Sequence, residues 1–245
     1  MLFFQKSKPY LKDLIPNNFI DIHSHLLFGI DDGAKTFEDS LSLTKALIDI
    51  GFSEFITTPH TMQYLWNNTA ENILNRNNET IALLQQNSIS VPFKAASEYL
   101  IDENFANQFQ NEPLLTLKEN YVLVEMSYIN PPIQLYNIIF DLQVCGYKPI
   151  LAHPERYVFY HDNFSEYEKL KKAGCLFQIN LLSTVGYYGA NVTTLCNKLL
   201  EKGMFDFVGS DVHHKNHVKA FDTRINIKNS ALLNEIIANN KFFKF

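Results

Sequence analysis

Seven short apolar stretches that alternate with helical patterns restrict the fold of this 245-residue chain more than any other feature. Each is rich in β-branched and aromatic residues and is predicted to be a strand. The seven are FIDIHSH (19–25), FSEFITTPH (52–60), VPFKAASEY (91–99), YVLVEM (121–126), KPILAHPE (148–155), CLFQINLLS (175–183) and FDFVGSDVHH (205–214). Strands alternating with helices predict an α/β protein with a parallel sheet, and this length favours closure into a (β/α)7 barrel, one unit short of the usual eight.

The helical segments carry apolar residues three and four positions apart, and most of them stop at a glycine. Thr36 is the predicted N-cap of the first helix, which Gly51 ends. The other predicted helices cover 69–86, 103–110, 131–145, 164–173 and 190–202, and a last amphipathic segment covers 230–243. The stretch LLTL (114–117) has the composition of a short strand.

Composition and charge exclude several classes of protein. With 46% hydrophobic residues and 20 Phe, the chain can bury a large core, and it has no linker rich in Gly, Pro or Ser. We therefore predict one domain over residues 1–245, with residues 1–18 as an N-terminal arm. The formal net charge of -5 gives no general basis for nucleic-acid binding.

The cysteines and the N-terminus indicate the compartment. Cys145, Cys175 and Cys196 are widely spaced, with no CxxC motif, so neither a disulfide framework nor a thiolate zinc site is predicted. The apolar run at the N-terminus is too short for a signal-peptide core, and no stretch approaches the roughly 18 apolar residues of a spanning helix. We expect a cytoplasmic protein without direct membrane insertion.

The first strand carries His23 and His25, two residues apart. Side chains alternate along a strand, so both imidazoles point to the same face, as half of a metal site would require. Two partly buried histidines with a packing role explain the pair equally well, and only further ligands at the same place decide between these interpretations.

Six of the seven predicted strands end at a histidine or an acidic residue. These residues are His23, His25, His60, Glu98, Glu125, His153, Asp211 and His213; only the strand containing QINLLS lacks an obvious ligand. In a βα barrel the C-terminal strand ends converge on one mouth, so we expect the eight side chains to meet there. Eight ligands indicate two or three metal ions, and a histidine and carboxylate set without cysteine favours manganese, iron or zinc.

Each of these residues also has an individual structural explanation. Glu98 and Glu125 could cap helices, His60 could be a turn residue and Asp211 could bond a loop backbone. Coincidence at so many strand ends is the weaker explanation, and a shared site is favoured. His161, His214 and His217 are not predicted to be ligands.

The motifs DIHSH, TTPH, SEY, VEM, ILAHPERY and GSDVHH occur in the order and at the spacings of the PHP (polymerase and histidinol phosphatase) superfamily, which the chain resembles over residues 19–225. More narrowly, GIDDGAKT and HPERY resemble the manganese-dependent protein tyrosine phosphatases of bacterial capsular and exopolysaccharide operons, the CpsB and YwqE type.

This resemblance implies a distorted, TIM-like (β/α)7 barrel with a trinuclear Mn²⁺ centre held by the eight residues named above, with iron or zinc as alternative metals. It also implies that Arg156 of HPER contacts the substrate phosphate. The family often carries a second arginine after its SD-x-H segment. No arginine follows His213 before Arg224 here, so Lys215 or His217 is the candidate replacement.

The expected reaction is metal-dependent hydrolysis of an aryl phosphate, whose phenolic leaving group needs little protonation. Asp31 and Asp32 are candidate general acids, although turn-forming acids before Gly33 are the better interpretation. A cysteine nucleophile with an arginine six positions later is excluded, because Leu151, Leu181 and Lys202 occupy those positions.

Three functions fit the sequence. The resemblance implies a protein tyrosine phosphatase that acts on the tyrosine-rich tail of a membrane-associated bacterial tyrosine kinase in polysaccharide synthesis. The alternatives are a phosphoesterase for a small molecule such as histidinol phosphate, and a non-catalytic regulatory module that metals stabilise. The complete ligand set argues against the last, because packing does not require it.

Overall fold

The computed structural model describes residues 7–245, and within that range nine short β-strands pair in parallel and alternate with eight α-helices. The strands are β1 (Phe19–Asp21), β2 (Phe52–Thr57), β3 (His60–Thr61), β4 (Phe93–Ala95), β5 (Glu98–Leu100), β6 (Tyr121–Glu125), β7 (Lys148–Ala152), β8 (Leu176–Asn180) and β9 (Phe207–Gly209). The helices are α1 (Phe37–Ile50), α2 (Ala70–Gln86), α3 (Glu103–Asn111), α4 (Leu135–Val144), α5 (Phe164–Lys172), α6 (Ala190–Glu201), α7 (Lys215–Ala220) and α8 (Ser230–Asn239). The predicted α/β class with parallel pairing is confirmed.

The strands form two sheets, in the orders β1-β2-β4 and β3-β5-β6-β7-β8-β9. Two of the seven predicted strands are interrupted, which gives the pairs β2/β3 and β4/β5. Backbone hydrogen bonds continue through both interruptions, from Ala96 N to Thr57 O (2.9 Å) and from Glu98 N to Pro59 O (3.1 Å). The second and third predicted strands therefore remain neighbours along their whole length.

The first and last strands are also neighbours. Ser24 and Val212 form a parallel bridge, and backbone hydrogen bonds join His25 N to Val212 O (3.0 Å) and Asp211 N to His23 O (2.7 Å). Farther down, the buried Asn240 side chain donates to Ile20 O and Val208 O, both at 2.9 Å, and accepts from Val208 N at 3.1 Å. These bonds place the His23 end of β1 beside the end of β9.

Helix termini follow the sequence closely where a cap is encoded. Thr36 caps α1 by accepting from Asp39 N, and the Asp39 carboxylate accepts from Thr36 N in return. Gly51 ends α1 at φ +125°, a conformation that disfavours residues with a Cβ. The predicted limits of α1 and α2 are therefore confirmed to within one residue.

Some predicted boundaries are wrong. Helix α4 begins at Leu135 and not at Pro131: Pro132 disfavours the helical conformation of Pro131, and Ile133 and Gln134 form a turn before the helix. The 114–117 stretch is not a strand; the Leu115 amide donates to the Tyr99 hydroxyl at 2.9 Å. The sixth predicted strand ends at Asn180 and continues as a 3-10 helix over Leu181–Val185, and the short helix α7 was not predicted.

The described part of the predicted N-terminal arm, residues 7–18, packs against the C-terminal segment. Leu11 N donates to Thr223 O and Lys12 N to Phe221 O, both at 3.0 Å, and the Leu11 side chain is fully buried. The first six residues of the arm lie outside the described residues. Across residues 7–245, no helix combines the length and apolar character needed to span a membrane.

Replacing Asn240 by Ala tests the link between the first and last strands. The change leaves buried backbone groups of Ile20 and Val208 without partners, so we expect the free energy of unfolding to fall by about 2–4 kcal/mol, measured by urea denaturation. Asn111→Ala, at an exposed asparagine, is the control and should change it by no more than about 0.5 kcal/mol. Equal effects of the two substitutions would contradict the bridging role.

Candidate metal centre

The strand ends bring the eight predicted ligands into one cluster. In four overlapping groups, one nitrogen or oxygen from each residue lies within 4.8 Å of the others. The groups are His25, Asp32, His60 and His213; His23, Glu98 and His153; His23, His25 and Asp211; and His60, Glu98 and Glu125. The geometry therefore assembles every predicted ligand and adds Asp32, while their role as ligands stays a prediction.

Glu98 lies at the centre of the cluster and is fully buried. Its Oε2 is 3.2 Å from His23 Nε2 and 3.2 Å from His60 Nδ1, and its Oε1 is 3.1 Å from His153 Nε2. Burial opposes ionisation of Glu98, but the surrounding histidines, His23 first, more than offset it and hold its pKa well below the ordinary value. Glu98 therefore remains a carboxylate, the form in which it would bind a cation.

Asp211 joins the histidines of the cluster to Arg156 and Asn180. Its Oδ1 lies 3.3 Å from His23 Nε2 and 3.4 Å from His25 Nε2. Its Oδ2 accepts from Arg156 Nη1 at 2.7 Å and from Asn180 Nδ2 at 2.8 Å. One oxygen faces the histidines and the other is fixed by donors, so the orientation of the carboxylate is determined from both sides.

The two adjacent acids in the turn after the first strand, Asp31 and Asp32, make different contacts. The buried Asp31 carboxylate lies 2.8 Å from His25 Nδ1 and accepts from Gly33 N at 2.9 Å, so it orients His25. The half-exposed Asp32 Oδ1 lies 3.4 Å from both His60 Nε2 and His213 Nε2. The sequence predicted only turn residues or general acids here. Their position directly after the HxH strand was the signal available for placing one of them in the cluster.

The eighth strand supplies positioning groups that the sequence analysis missed. Gln178 Oε1 lies 2.7 Å from His23 Nδ1, and Asn180 Nδ2 donates to Asp211. Amides two residues apart in an otherwise apolar strand point to one face, which was the available signal. Such hydrogen bonds fix the ring orientation of a histidine and the free nitrogen that it offers to a metal.

The donor set fits divalent cations. The buried atoms Glu98 Oε2 and Glu125 Oε1 lie 3.2 Å and 2.8 Å from His60 Nδ1, yet none of the three has a hydrogen bond of proper geometry among the described residues. Leaving buried polar atoms unpaired is costly, and cations would satisfy them. Five imidazoles and four carboxylates without a thiolate match metals such as manganese, iron and zinc.

Arg156 lies at the edge of this cluster, in a 3-10 turn (Pro154–Arg156) directly after His153. His153 adopts a left-handed backbone with φ +35°, which starts the turn where β7 ends. The Arg156 side chain is largely buried and is paired with Asp211 at 2.7 Å. HPER therefore delivers a candidate ligand and a guanidinium to the same mouth.

The two candidates for a second positive group occupy different environments. Lys215, at the start of α7, lines a cavity of about 350 Å³ together with Asp32 and His213. His217 is buried under Tyr187, and its Nδ1 accepts from His213 N at 3.2 Å. Burial lowers the pKa of His217 to about 4, so it is neutral near pH 7 and Lys215 is the better candidate. Like His217, His161 and His214 lie outside the metal-binding groups found among residues 7–245.

Comparison with known proteins gives matches over most of the chain. The family described as "Capsular polysaccharide synthesis, CpsB/CapC" matches residues 19–223. Tyrosine-protein phosphatase YwqE of Bacillus subtilis (strain 168) is 29% identical over 196 residues, which are 80% of this chain and 77% of YwqE. Tyrosine-protein phosphatase CpsB of Streptococcus pneumoniae is 25% identical over 203 residues, which are 80% of this chain and 83% of CpsB.

A solved structure from crystallographic work on YwqE and CpsB, described there as unique metal-dependent tyrosine phosphatases, has the same fold. Its TM-score is 0.80 at 25% sequence identity, and the superposition covers 91% of this chain and 93% of the other. The fold and the length of the two proteins therefore correspond closely.

Glu155 is a buried acidic residue that contacts the segment carrying Asn180 and Ser183. Its Oε1 accepts from Asn180 N at 2.9 Å and from Ser183 Oγ at 2.7 Å, whereas its Oε2 has no partner among residues 7–245. Burial raises the pKa of Glu155 to about 7. The folded protein therefore retains a proton that the unfolded chain releases near the ordinary pKa of 4.5.

Glu155→Gln should change how stability depends on pH. The wild type loses stability as the pH rises from about 4.5 to about 7, because only the unfolded chain ionises readily over that range. The substituted side chain is neutral at every pH and keeps an oxygen acceptor. We expect Glu155→Gln to be more stable than the wild type at about pH 8 and to lose that advantage toward about pH 5. Urea unfolding at both pH values measures this; a pH-independent difference contradicts it.

Proposed function

This chain belongs to the CpsB/CapC family of capsular polysaccharide synthesis, as its motifs predicted, and from that premise we propose that it is a metal-dependent protein tyrosine phosphatase. The observation that carries the proposal is the convergence of histidines and carboxylates from the strand ends on one mouth beside Arg156. Relatives named as tyrosine-protein phosphatases support the substrate class.

The proposed architecture is a single, distorted (β/α)7 barrel of the PHP superfamily over residues 1–245. The hydrogen bonds between the ends of β1 and β9 support closure, since they make neighbours of the first and last strands. Closure also explains the site, because the C-terminal ends of parallel barrel strands face a single opening.

The proposed cofactor is two or three Mn²⁺ ions, with iron or zinc as alternatives. The proposed ligands are His23, His25, His60, Glu98, Glu125, His153, Asp211 and His213, together with Asp32. Support comes from the four overlapping groups and from their unpaired buried atoms. When bound, such ions lower the pKa of water and neutralise negative charge on phosphoryl oxygens.

The chain's own residues bind and orient the substrate. Arg156 donates forked, charge-assisted hydrogen bonds to the phosphate oxygens. Lys215 is proposed as a second positive group beside them. Hydrogen bonds from His213 and His60 outweigh the effect of burial and keep the pKa of Asp32 below its ordinary value, so Asp32 holds no proton to donate. A phenolic leaving group has a pKa of about 10, so it can depart without being protonated by an acid.

The proposed substrate is a phosphotyrosine protein, and within the capsule context of the family we propose a membrane-associated bacterial tyrosine kinase that regulates polysaccharide synthesis. A cytoplasmic location follows from that partner. The net charge of -5 supports a protein substrate over nucleic acid.

Removing metal should abolish the reaction. Excess chelator is expected to reduce hydrolysis of p-nitrophenyl phosphate and of a phosphotyrosine peptide to background, and added Mn²⁺ should restore both. Histidinol phosphate, with its poorer alkyl leaving group, should react much more slowly than the peptide. Full activity in excess chelator would contradict the metal-dependent mechanism. Faster turnover of histidinol phosphate than of the peptide would favour a small-molecule phosphoesterase.

Arg156→Ala should weaken phosphate-ester turnover more than metal binding. Losing a charge-assisted contact of about 2–4 kcal/mol should lower kcat/KM roughly 30- to 1000-fold, while the metal content measured by elemental analysis stays close to the wild type. Arg76→Ala, at a surface arginine paired with Glu79, is the matched control and should change neither quantity. Parallel losses of activity and metal would indicate that Arg156 is structural.

A further inference from the structure

The guanidinium of Arg156 lies over the faces of two tyrosine rings. Its central carbon is 4.8 Å from the centre of the Tyr128 ring and 4.1 Å from the centre of the Tyr188 ring. Tyr128 belongs to the loop after β6, whereas Tyr188 lies in the loop before α6. Stacking of this kind attracts a guanidinium to an aromatic face and restricts its rotation.

Tyr188 belongs to a closed set of contacts with Arg156. The Tyr188 hydroxyl accepts from Asn180 Nδ2 at 3.1 Å, and the same amide donates to Asp211 Oδ2 at 2.8 Å. Asp211 Oδ2 accepts from Arg156 Nη1 at 2.7 Å, and Arg156 covers the Tyr188 ring. Each of the four side chains therefore restrains the next.

The orientation of the Asn180 amide determines which atoms donate and which accept in these contacts. Asn180 Oδ1 accepts from Leu182 N at 2.8 Å, so the NH₂ group must face Tyr188 and Asp211. Both amide hydrogens are then used, one by the hydroxyl and one by the carboxylate. The 3-10 helix that starts at Leu181 fixes the Leu182 N–H, which anchors the set to the backbone.

The second ring is held by the candidate metal centre itself. Tyr128 stacks on His153 with ring centres 5.7 Å apart and an angle of 23° between the planes. Within residues 7–245, the guanidinium donates a hydrogen bond only to Asp211. Its other N–H groups are therefore available for an oxyanion at the mouth.

We propose that Tyr188 and Tyr128 are positioning residues that act through Arg156 on phosphate binding. The two rings hold the guanidinium in the plane from which it meets the phosphate, with Tyr188 also fixed by Asn180. This inference rests on the proposed function, because it assumes that Arg156 binds the substrate phosphate.

Calorimetric titration of the Mn²⁺-loaded protein with inorganic phosphate tests the inference without turnover. Tyr188→Leu removes the ring and should weaken phosphate binding about five- to tenfold, with an equal rise in KM for p-nitrophenyl phosphate and a smaller change in kcat. Tyr188→Phe keeps the ring and should stay within about threefold of the wild type. Tyr10→Leu, at a tyrosine that stacks on Arg224 outside the cluster, is the matched control and should bind phosphate as the wild type does. Metal content should be the same in all of them.

A double-mutant cycle separates positioning from general structural damage. In the Arg156→Ala background, Tyr188→Leu should cause no further loss of phosphate affinity, because its effect passes through Arg156. An undiminished loss of phosphate affinity in that background overturns the inference. Wild-type affinity in Tyr188→Leu, or no phosphate binding by the wild type, overturns it as well.

Tyr128→Leu, at a half-exposed ring, serves the same cycle if Tyr188→Leu does not fold. Phosphate binding that depends on Tyr188 without turnover of any aryl phosphate would refute the proposed function and support the positioning role.

Discussion

Burial of many ionisable groups at the strand ends is the constraint on which the rest of the structure depends. Glu98 and Asp211 are each buried and surrounded by imidazoles at 3.1–3.5 Å. A buried charge is tolerated only when opposite charge and hydrogen bonds surround it, so each side chain of the cluster has to be held in a fixed orientation. The surrounding structure supplies this through Asp31 on His25 and Gln178 on His23.

The same requirement explains how the first and last strands are joined. Asp21, fully buried in β1, accepts from Ser210 N at 3.0 Å and from Ser210 Oγ at 2.6 Å. This contact fixes the register of β1 against the end of β9, and so places His23 opposite Asp211. Asn240 repeats the connection lower in the core, between Ile20 and Val208. Polar bridges in the core thus set the relative position of predicted ligands that are far apart in sequence.

The cysteines take no part in this chemistry. Cys175 and Cys196 are buried, and burial raises the pKa of the Cys175 thiol to about 12, so a thiolate does not form near neutral pH. Cys145 is exposed, and Leu151 stands where a phosphate-binding arginine would be needed six residues later. The proposed phosphate chemistry therefore rests on the histidine and carboxylate cluster and on Arg156.

Sequence alone determined the α/β class, the capped helices such as α1, and the eight side chains that meet at the strand ends, because strand periodicity and capping are local properties. It misplaced the start of α4 and assigned no role to Gln178 or Asn180. It also left Asp31 and Asp32 indistinguishable, since adjacent acids in a turn have the same local pattern. Only the tertiary structure turned Asp31 toward His25, brought Asp32 close to both His60 and His213, and packed Arg156 against Tyr128 and Tyr188. Most of those contacts join side chains from different loops, and their direction depends on how the loops pack after the strands have assembled.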